Sequence, residues 1–487
     1  MQHLFRQKPF ELLTQECAEE GEHTLKRVLG PWELTALGIG ATIGAGIFVL
    51  TGEAAYANAG PAVVLSFAAA ALACAFAALC YAEFASLIPL AGSAYTYGYA
   101  TLGELFAWII GWDLVLEYAL AASTVSVGWA GYFVSFLSHF GLNVSPAIST
   151  STYVLDAQGD LVHTGALNIF AIAIVVASSV LLAVGIRESA TMNNALVIVK
   201  VGIVLLFLLA GVWYIEPQNW TPFLPENTGE FGHYGWSGVF RGSALVFFAY
   251  IGFDAVSTAA QETRNPKRDL PFGILTSLAI CTVLYVAVAA TLTGLVPYSD
   301  LGVPHPISLG IQATPFAWLG WIVDLGALLG LGSVILATLL GQSRVFYAMS
   351  RDGLLPGVFS RLHRRFRTPF VQTLGMGAAV AVPAALFPID VLGHMVSIGT
   401  LLAFAIVCTS VMVLRIRRPD LERPFKVPGY PFVPICGVAT SVALMCFLPI
   451  ETWARLGVWM ALGMLIYVLY GRKHSKVRAM SATRGGM

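Results

Sequence analysis

Three ionisable residues lie inside long apolar stretches of this chain, where a charge is rare and costly: Lys200, Asp254 and Glu117. A buried amine such as Lys200 can take up and release a proton. It lies only about 8 residues, or ~12 Å along a helix, from the end of its stretch, so it could instead extend its amine to the membrane surface. The carboxylate of Asp254 can pair with an ammonium group or cap a helix. Glu117 can face a pocket or a water path.

Glycines mark two weak points in the same apolar stretches. The sequence GIGATIGAGIF, residues 38–48, holds four glycines in eleven positions, and glycine is a poor residue for a helix interior. An unwound segment here would offer carbonyls near Gly40 to Ile43 to a cation, and amides near Ala45 to Ile47 to a carboxylate. Close helix packing through small residues is the alternative. A second glycine, Gly252, lies beside Asp254, and the matching pair of breaks favours a binding site.

The elements that carry these residues are membrane spans. The 487 residues are 57% hydrophobic and 11% charged, which excludes a soluble enzyme, and many apolar runs exceed the roughly 20 residues that cross a bilayer. No cleavable signal peptide is expected at the start of the chain. We predict an all-α membrane protein with twelve transmembrane helices, numbered segments 1 to 12: 33–59, 62–89, 104–139, 165–186, 191–214, 237–262, 271–296, 316–350, 370–388, 391–415, 430–449 and 452–471.

Basic residues predict the orientation. All but three of the 27 lysines and arginines lie on the side that holds both termini, the exceptions being Lys200, Arg241 and Arg455. By the positive-inside rule, both termini are cytoplasmic. Segments 1 and 6 then start on opposite sides and each carries a break, so segments 1–5 and 6–10 can be inverted repeats around a binding site.

The predicted domains follow from this topology. They are a cytoplasmic tail that could form an amphipathic helix, two five-helix repeats, a terminal helix pair and a second cytoplasmic tail: 1–32, 33–214, 237–415, 430–471 and 472–487. Glu83 and Asp113 lie nearer the cytoplasmic ends of their spans, which suggests gating or packing.

Other classes of function lack their signals. The sequence has no H-E-x-x-H, G-x-S-x-G or P-loop motif and no Cys/His metal spacing, so we predict no enzyme, no metal and no cofactor. A channel filter motif is also missing, and broken helices argue against a receptor. The net charge of zero gives no sign of a nucleic-acid partner, and none is expected. A small membrane subunit cannot be read from the sequence.

Several motifs together resemble the amino acid–polyamine–organocation superfamily, and within it the cationic amino acid transporter family with its bacterial members. They are GIGATIGAGIF, YAEFASLIPLAGSAYTYGYATLGELFAWIIGWDLVLEY, FFAYIGFDAVSTAAQETRNPKRDLPFGI and GQSRVFYAMSRDGLLP. The resemblance covers roughly residues 30–470. It implies a leucine-transporter-like fold, a five-plus-five inverted repeat with unwound helices 1 and 6 around one amino acid, and two additional helices.

The resemblance also implies site residues. The expected substrate-binding residues come from segments 1, 3, 6 and 8: Thr42, Ile43, Gly44, Ala45, Gly46, Ile47, Glu117, Ala121, Phe248, Ala249, Ile251, Asp254 and Thr338. In proton-coupled relatives, a lysine of segment 5 takes the place of a sodium ion. The corresponding residues here are Lys200, the carbonyls of Gly40 and Ile43, and Ser333.

The resulting expectation is a secondary active transporter of the cell membrane. It would carry an L-amino acid, cationic or small and neutral, by proton symport and alternating access. An amino acid exchanger without net proton coupling is the alternative. The expected partners are the substrate, the proton and the bilayer.

Overall fold

A computed structural model describes residues 29–88, 93–155, 161–185, 190–364, 366 and 368–476. Most of the predicted N-terminal tail, with its amphipathic helix, lies outside these residues, as does the end of the C-terminal tail. The segment numbers used above are kept for the observed helices.

Segments 1 to 5 form helices close to their predicted positions. Segment 1 is an α-helix at Pro31–Thr42 that is followed, after a break, by π-, α- and π-helical turns at Gly46–Leu50, Thr51–Ala54 and Ala55–Ala59. A 3-10 turn at Gly60–Ala62 leads into segment 2. Segments 2 to 5 are Val63–Leu87, Glu104–Ser138, Ile169–Val184 and Ala190–Gly211. Pro31 lies in the first turn of segment 1, where its missing amide hydrogen costs nothing.

Segment 6 is also discontinuous. Its α-helix at Gly235–Val246 passes into a 3-10 turn at Phe247–Tyr250, and a short helix follows at Ala255–Thr258, with a 3-10 turn at Ala260–Glu262. Segments 7 to 12 are Pro266–Leu295, Gly320–Arg351, Phe370–Leu386, Ile389–Arg417, Phe432–Phe447 and Ile450–Ile466, the last continuing as a π-helical turn at Tyr467–Gly471 and a short helix at Arg472–His474.

Length and composition make this a helical membrane protein. Within the described ranges, eight helices are long and apolar enough to cross a membrane, and three shorter apolar helices accompany them at Ile169–Val184, Phe370–Leu386 and Phe432–Phe447. Gly46–Ala59, the outer half of segment 1 in the predicted orientation, and segment 2 count together as one of the eight, Gly46–Leu87. The number of twelve separate crossings therefore stays a prediction.

The connections hold structure that the apolar pattern did not predict. A short helix at Pro146–Ser149 and an antiparallel hairpin of Tyr153–Leu155 with Leu161–His163 lie between segments 3 and 4. The hairpin corrects the all-α prediction in one small place. Further short helices at Ser93–Thr101 and Pro306–Gln312 join segments 2 to 3 and 7 to 8.

One of these connections rests on segment 1. A Cβ atom added to Gly52 would lie 2.6 Å from Pro306 Cβ and 2.7 Å from the carbonyl oxygen of Leu301. Pro306 begins the short helix between segments 7 and 8. The connection therefore packs directly on the outer half of segment 1, at a contact that leaves no room for a side chain.

Two pairs of long helices frame the broken segments. Segment 3 packs most extensively against segment 8, and segment 2 against segment 7. Pro31–Thr42, the inner half of segment 1 in the predicted orientation, packs on segments 5 and 7. These contacts place the two breaks in the buried centre of the helix bundle.

Candidate substrate and coupling site

The break in segment 1 falls within the glycine motif. The first helix ends at Thr42, and Ile43 is extended, with φ −71° and ψ 104°. Helical geometry returns at Ala45 and Gly46. The carbonyl end of one half-helix and the amide end of the other therefore meet around Ile43 and Gly44, where their dipoles favour a cation and an anion, respectively.

The break in segment 6 depends on one glycine. Ile251 is extended, with φ −62° and ψ 130°, and Gly252 has φ +127°, a conformation that residues with a Cβ atom rarely adopt. A Cβ atom on Gly252 would also lie 2.6 Å from the carbonyl carbon of Ala41 and 2.8 Å from the amide nitrogen of Thr42. The absence of a side chain at Gly252 thus lets the two breaks touch.

A second glycine brings the same segments together. A Cβ atom on Gly46 would overlap with the Cα and Cβ atoms of Ala249 and lie 3.0 Å from its amide nitrogen. Gly44 is less constrained, because its added Cβ atom would meet the side chain of Val334 at 3.3 Å. Gly46 and Ala249 therefore fix the distance between the broken segments.

Two tyrosines bind carbonyls of segment 1, and the sequence analysis missed both. The Tyr285 hydroxyl donates to Thr42 O at 2.8 Å, and the Tyr132 hydroxyl donates to Phe48 O at 2.7 Å. Both side chains are fully buried. A tyrosine inside an apolar segment was the available signal, since a buried phenol needs a partner. These bonds anchor both halves of segment 1 to segments 7 and 3.

Lys200 lies against the inner half of segment 1. Its side chain is 1% exposed, and its Nζ donates to Gly40 O at 2.6 Å. A Cβ atom on Gly330 of segment 8 would lie 3.2 Å from Lys200 Cγ. The hydroxyl of Ser333 donates to Gly330 O at 2.9 Å. The structure thus brings Lys200 to Gly40, with Ser333 one helical turn from the glycine that the lysine stem touches.

The two predicted acidic residues are buried on neighbouring segments. Asp254 is 4% exposed, and its Oδ1 accepts from the amide of Gly252 at 3.2 Å. It precedes the helix Ala255–Thr258 without a side-chain capping bond. Glu117 has Asp254 and Asp113 as charged neighbours, and its Oε2 has no hydrogen-bond partner among the described residues.

The other expected site residues are distributed around the breaks. Ile43, Ala45 and Ile47 of segment 1 are buried, as are Ala121, Phe248 and Ala249, while Ile251 is partly buried. The hydroxyl of Thr42 is buried and has no hydrogen-bond partner in the described part of the chain. Thr338, on segment 8, donates to Val334 O at 2.9 Å and Ile335 O at 3.0 Å. Its hydroxyl is therefore engaged by its own helix.

A family model described as amino acid permease matches residues 29–469. The chain belongs to the amino acid permease family. The resemblance inferred from the motifs is confirmed, and the permease family supports transport of an amino acid across a membrane rather than catalysis.

Relatives cover almost the whole permease. It is 50% identical to "Branched-chain amino acid permease BcaP" of Bacillus subtilis (strain 168), over 97% of this chain and 99% of the relative. It is 44% identical to "Methylthioribose transporter" of the same organism, over 98% and 99%. Identity to "Cationic amino acid transporter 4, vacuolar" of Arabidopsis thaliana is 39%, over 82% of this chain and 65% of the relative.

Glu83 of the permease forms an ion-pair cluster away from the breaks. Its carboxylate accepts from Arg415 Nε at 3.0 Å and from Arg415 Nη2, and it accepts from the amide of Val427 at 2.8 Å. Arg423 Nε lies 3.3 Å from Glu83 Oε1. The cluster ties segment 2 to segment 10 and to the connection between segments 10 and 11.

Proposed function

We propose that this permease is a secondary active transporter that carries an L-amino acid by proton symport and alternating access. In this proposal twelve helices form a leucine-transporter-like fold in the cell membrane, with both termini cytoplasmic. The observation that carries it is the meeting of two broken helices beside a buried lysine that holds a carbonyl of the first break. Such breaks in corresponding positions are typical of transporter binding sites.

The packing of the long helices supports an inverted repeat. Segments 3 and 8 pair with each other, and so do segments 2 and 7. Members of each pair are five segments apart, as two five-helix repeats related by a twofold axis require. Segments 11 and 12 fall outside these pairs, in agreement with two additional helices.

The breaks suit the two polar ends of an amino acid. The amide end of the outer half-helix at Ala45 and Gly46 would bind the carboxylate, because the positive end of a helix dipole attracts an anion. The Asp254 carboxylate would bind the α-ammonium. Thr338 and Glu117 would face the side chain, where Glu117 could balance a cationic group.

The substrate we propose is a cationic or a small neutral amino acid. A relative at 50% identity is called a branched-chain amino acid permease, and one at 44% a methylthioribose transporter. Methylthioribose has neither an α-ammonium nor a carboxylate, so it would not use Asp254 and the amide end as proposed. An uptake panel therefore has to compare amino acids with methylthioribose as substrates.

Uptake into proteoliposomes tests the proposal. Vesicles with an inward pH gradient and no sodium should accumulate labelled substrate to a saturable level, in competition with a panel of all common amino acids and methylthioribose. Exchange without accumulation would favour the amino acid exchanger. Dependence on a sodium gradient, or competition by methylthioribose alone, would contradict the proposal.

Replacing Asp254 by asparagine should weaken substrate binding about 10- to 100-fold. A hydrogen bond to a charged group contributes roughly 1.5–3 kcal/mol, and 1.4 kcal/mol corresponds to about a tenfold change in Kd. Asparagine retains an oxygen that can accept from Gly252, so the break itself should persist. Equilibrium binding to the purified variant measures the effect.

The matched control is Asp420→Asn. Asp420 lies in the connection between segments 10 and 11 and pairs with Arg418, both exposed, so the same chemical change should leave substrate affinity unaltered. A loss of less than about twofold for Asp254→Asn would leave that carboxylate with a purely structural role.

A further inference from the structure

Asp113 is a buried carboxyl group that the proposed substrate and lysine sites do not use. It is 1% exposed and lies one helical turn from Glu117 on segment 3, so the two side chains share a face of the helix. A Cβ atom on Gly399 of segment 10 would lie 2.9 Å from Asp113 Oδ1. The carboxyl group therefore lies directly against the backbone of segment 10.

The oxygens of this carboxyl group lack a hydrogen-bond partner in the part of the chain that the structure describes. Neither Oδ1 nor Oδ2 of Asp113 has a hydrogen-bond partner within the described ranges, and the same is true of Glu117 Oε2. A carboxylate buried in a membrane without a partner is strongly unfavourable, whereas the protonated acid is tolerated. In the arrangement seen here, the geometry fits a neutral carboxylic acid.

The described side chains around Asp113 and Glu117 are more often acidic than basic. Glu117 has Asp254 of segment 6 and Asp113 as charged neighbours, and the hydroxyl of Thr400 on segment 10 lies beside it. Asp254 and Glu117 also interact electrostatically with Tyr81 of segment 2. Among the described residues, Tyr118 of segment 3 interacts electrostatically with Asp254 and Glu117 and also with one cation, Arg344 of segment 8. Asp254, Glu117 and Asp113 thus form a row of carboxyl groups that ends about 6 Å further toward the predicted cytoplasmic side, one helical turn below Glu117.

We propose that Asp113 carries one proton per transport cycle as the inner end of this carboxyl row. The inference rests on the proposed function, because it requires alternating access to a substrate site at the breaks. It adds a proton carrier separate from Lys200, whose amine is bound to Gly40 O.

The proton balance is as follows. With the site open to the outside, a proton from water reaches Asp113 through Glu117 and forms an O–H bond, which leaves the acid neutral. With the site open to the inside, that O–H bond breaks, and the proton passes to water and leaves a hydrated carboxylate. The empty carrier then returns to the form open to the outside with Asp113 as the hydrated carboxylate. One proton therefore moves inward with each substrate molecule through this row.

The ratio of charge to substrate tests the proposal. L-alanine and L-leucine are zwitterions without net charge, so each charge that accompanies them is a proton. In proteoliposomes, the reversal potential at fixed pH and substrate gradients should show one fewer charge per substrate for Asp113→Asn than for the wild type. Substrate binding should stay within twofold. Asp113→Glu should restore the wild-type ratio, and the exposed Asp420→Asn should not change it.

An unchanged ratio in a folded Asp113→Asn protein would overturn the inference. Asp113→Ser, which is smaller and also neutral, must give the same reduction by one charge if the asparagine variant does not fold. Failure of the proposed function is a different result, because the wild type itself would then move no protons with either amino acid. If the wild type couples protons and both Asp113 variants show the same ratio of charge to substrate as the wild type, only the role of Asp113 is contradicted.

Discussion

Lys200→Ala proteoliposomes are expected to lose about tenfold of their concentrative uptake for each pH unit of gradient and to keep substrate exchange. The amine holds Gly40 O across the interface between segments 5 and 1, and it would favour one arrangement of the repeats when charged and release it when neutral. Such differential contact is all that a two-state carrier needs to couple two ligands. An inward gradient of one pH unit is worth about 1.4 kcal/mol per proton, or roughly tenfold accumulation per proton. The variant should lose the tenfold that the Lys200 proton contributes and keep the part contributed through Asp113.

Two further variants separate coupling from packing. Lys200→Met keeps most of the side-chain volume and removes the titrating group, so it should fail in the same way as Lys200→Ala. Lys267→Ala removes an exposed lysine at the start of segment 7 and should accumulate substrate normally. Undiminished accumulation by both Lys200 variants would mean that the lysine serves only packing.

Gly46→Ala is expected to weaken substrate binding by at least about 100-fold. The added methyl group would overlap with the backbone of Ala249, and backbone cannot rotate aside as a flexible side chain can. The two breaks would have to separate, and the amide end of segment 1 would move away from the site. A misplacement of about 1 Å can cost 100-fold in function. Binding of labelled substrate to purified protein measures the loss.

A second glycine provides the control for this variant. Gly375 lies on segment 9, and a Cβ atom there would meet nothing within 4 Å. Gly375→Ala should bind substrate with wild-type affinity, and it should be expressed as well as the wild type. If Gly46→Ala binds substrate as tightly as Gly375→Ala, segment 1 cannot contribute its backbone to the site in the proposed way.

The sequence predicted structure well where one physical property of a residue type dominates its behaviour. Glycines at Gly46 and Gly252 predicted breaks because helix interiors disfavour them, and the observed helices are interrupted beside both. The family resemblance implied that Lys200 lies near the carbonyl of Gly40, and its Nζ donates to Gly40 O. The family followed from several motifs at once, and the family model covers them.

Contacts between residues far apart in the chain could not be predicted from the sequence. Glu83 and Arg415 are 332 residues apart in the chain, and nothing in their local patterns shows that they meet. The bonds of Tyr285 and Tyr132 to segment 1 are of the same kind, because many apolar segments carry a tyrosine and only packing selects the partner. Asp113 was predicted to serve gating or packing because it lies near the end of its span. Its burial without a hydrogen-bond partner depends on the packing of other segments, which one sequence does not show.

The contact between Gly52 and Pro306 has a consequence for the order of movements in a transport cycle. The short helix Pro306–Gln312 is wedged against the outer half of segment 1 with no side chain between them. Because the two elements are in close contact, the outer half of segment 1 cannot move toward this connection without displacing it. Since Pro306 stiffens the start of the helix, we expect the connection to move as one rigid unit together with segment 1.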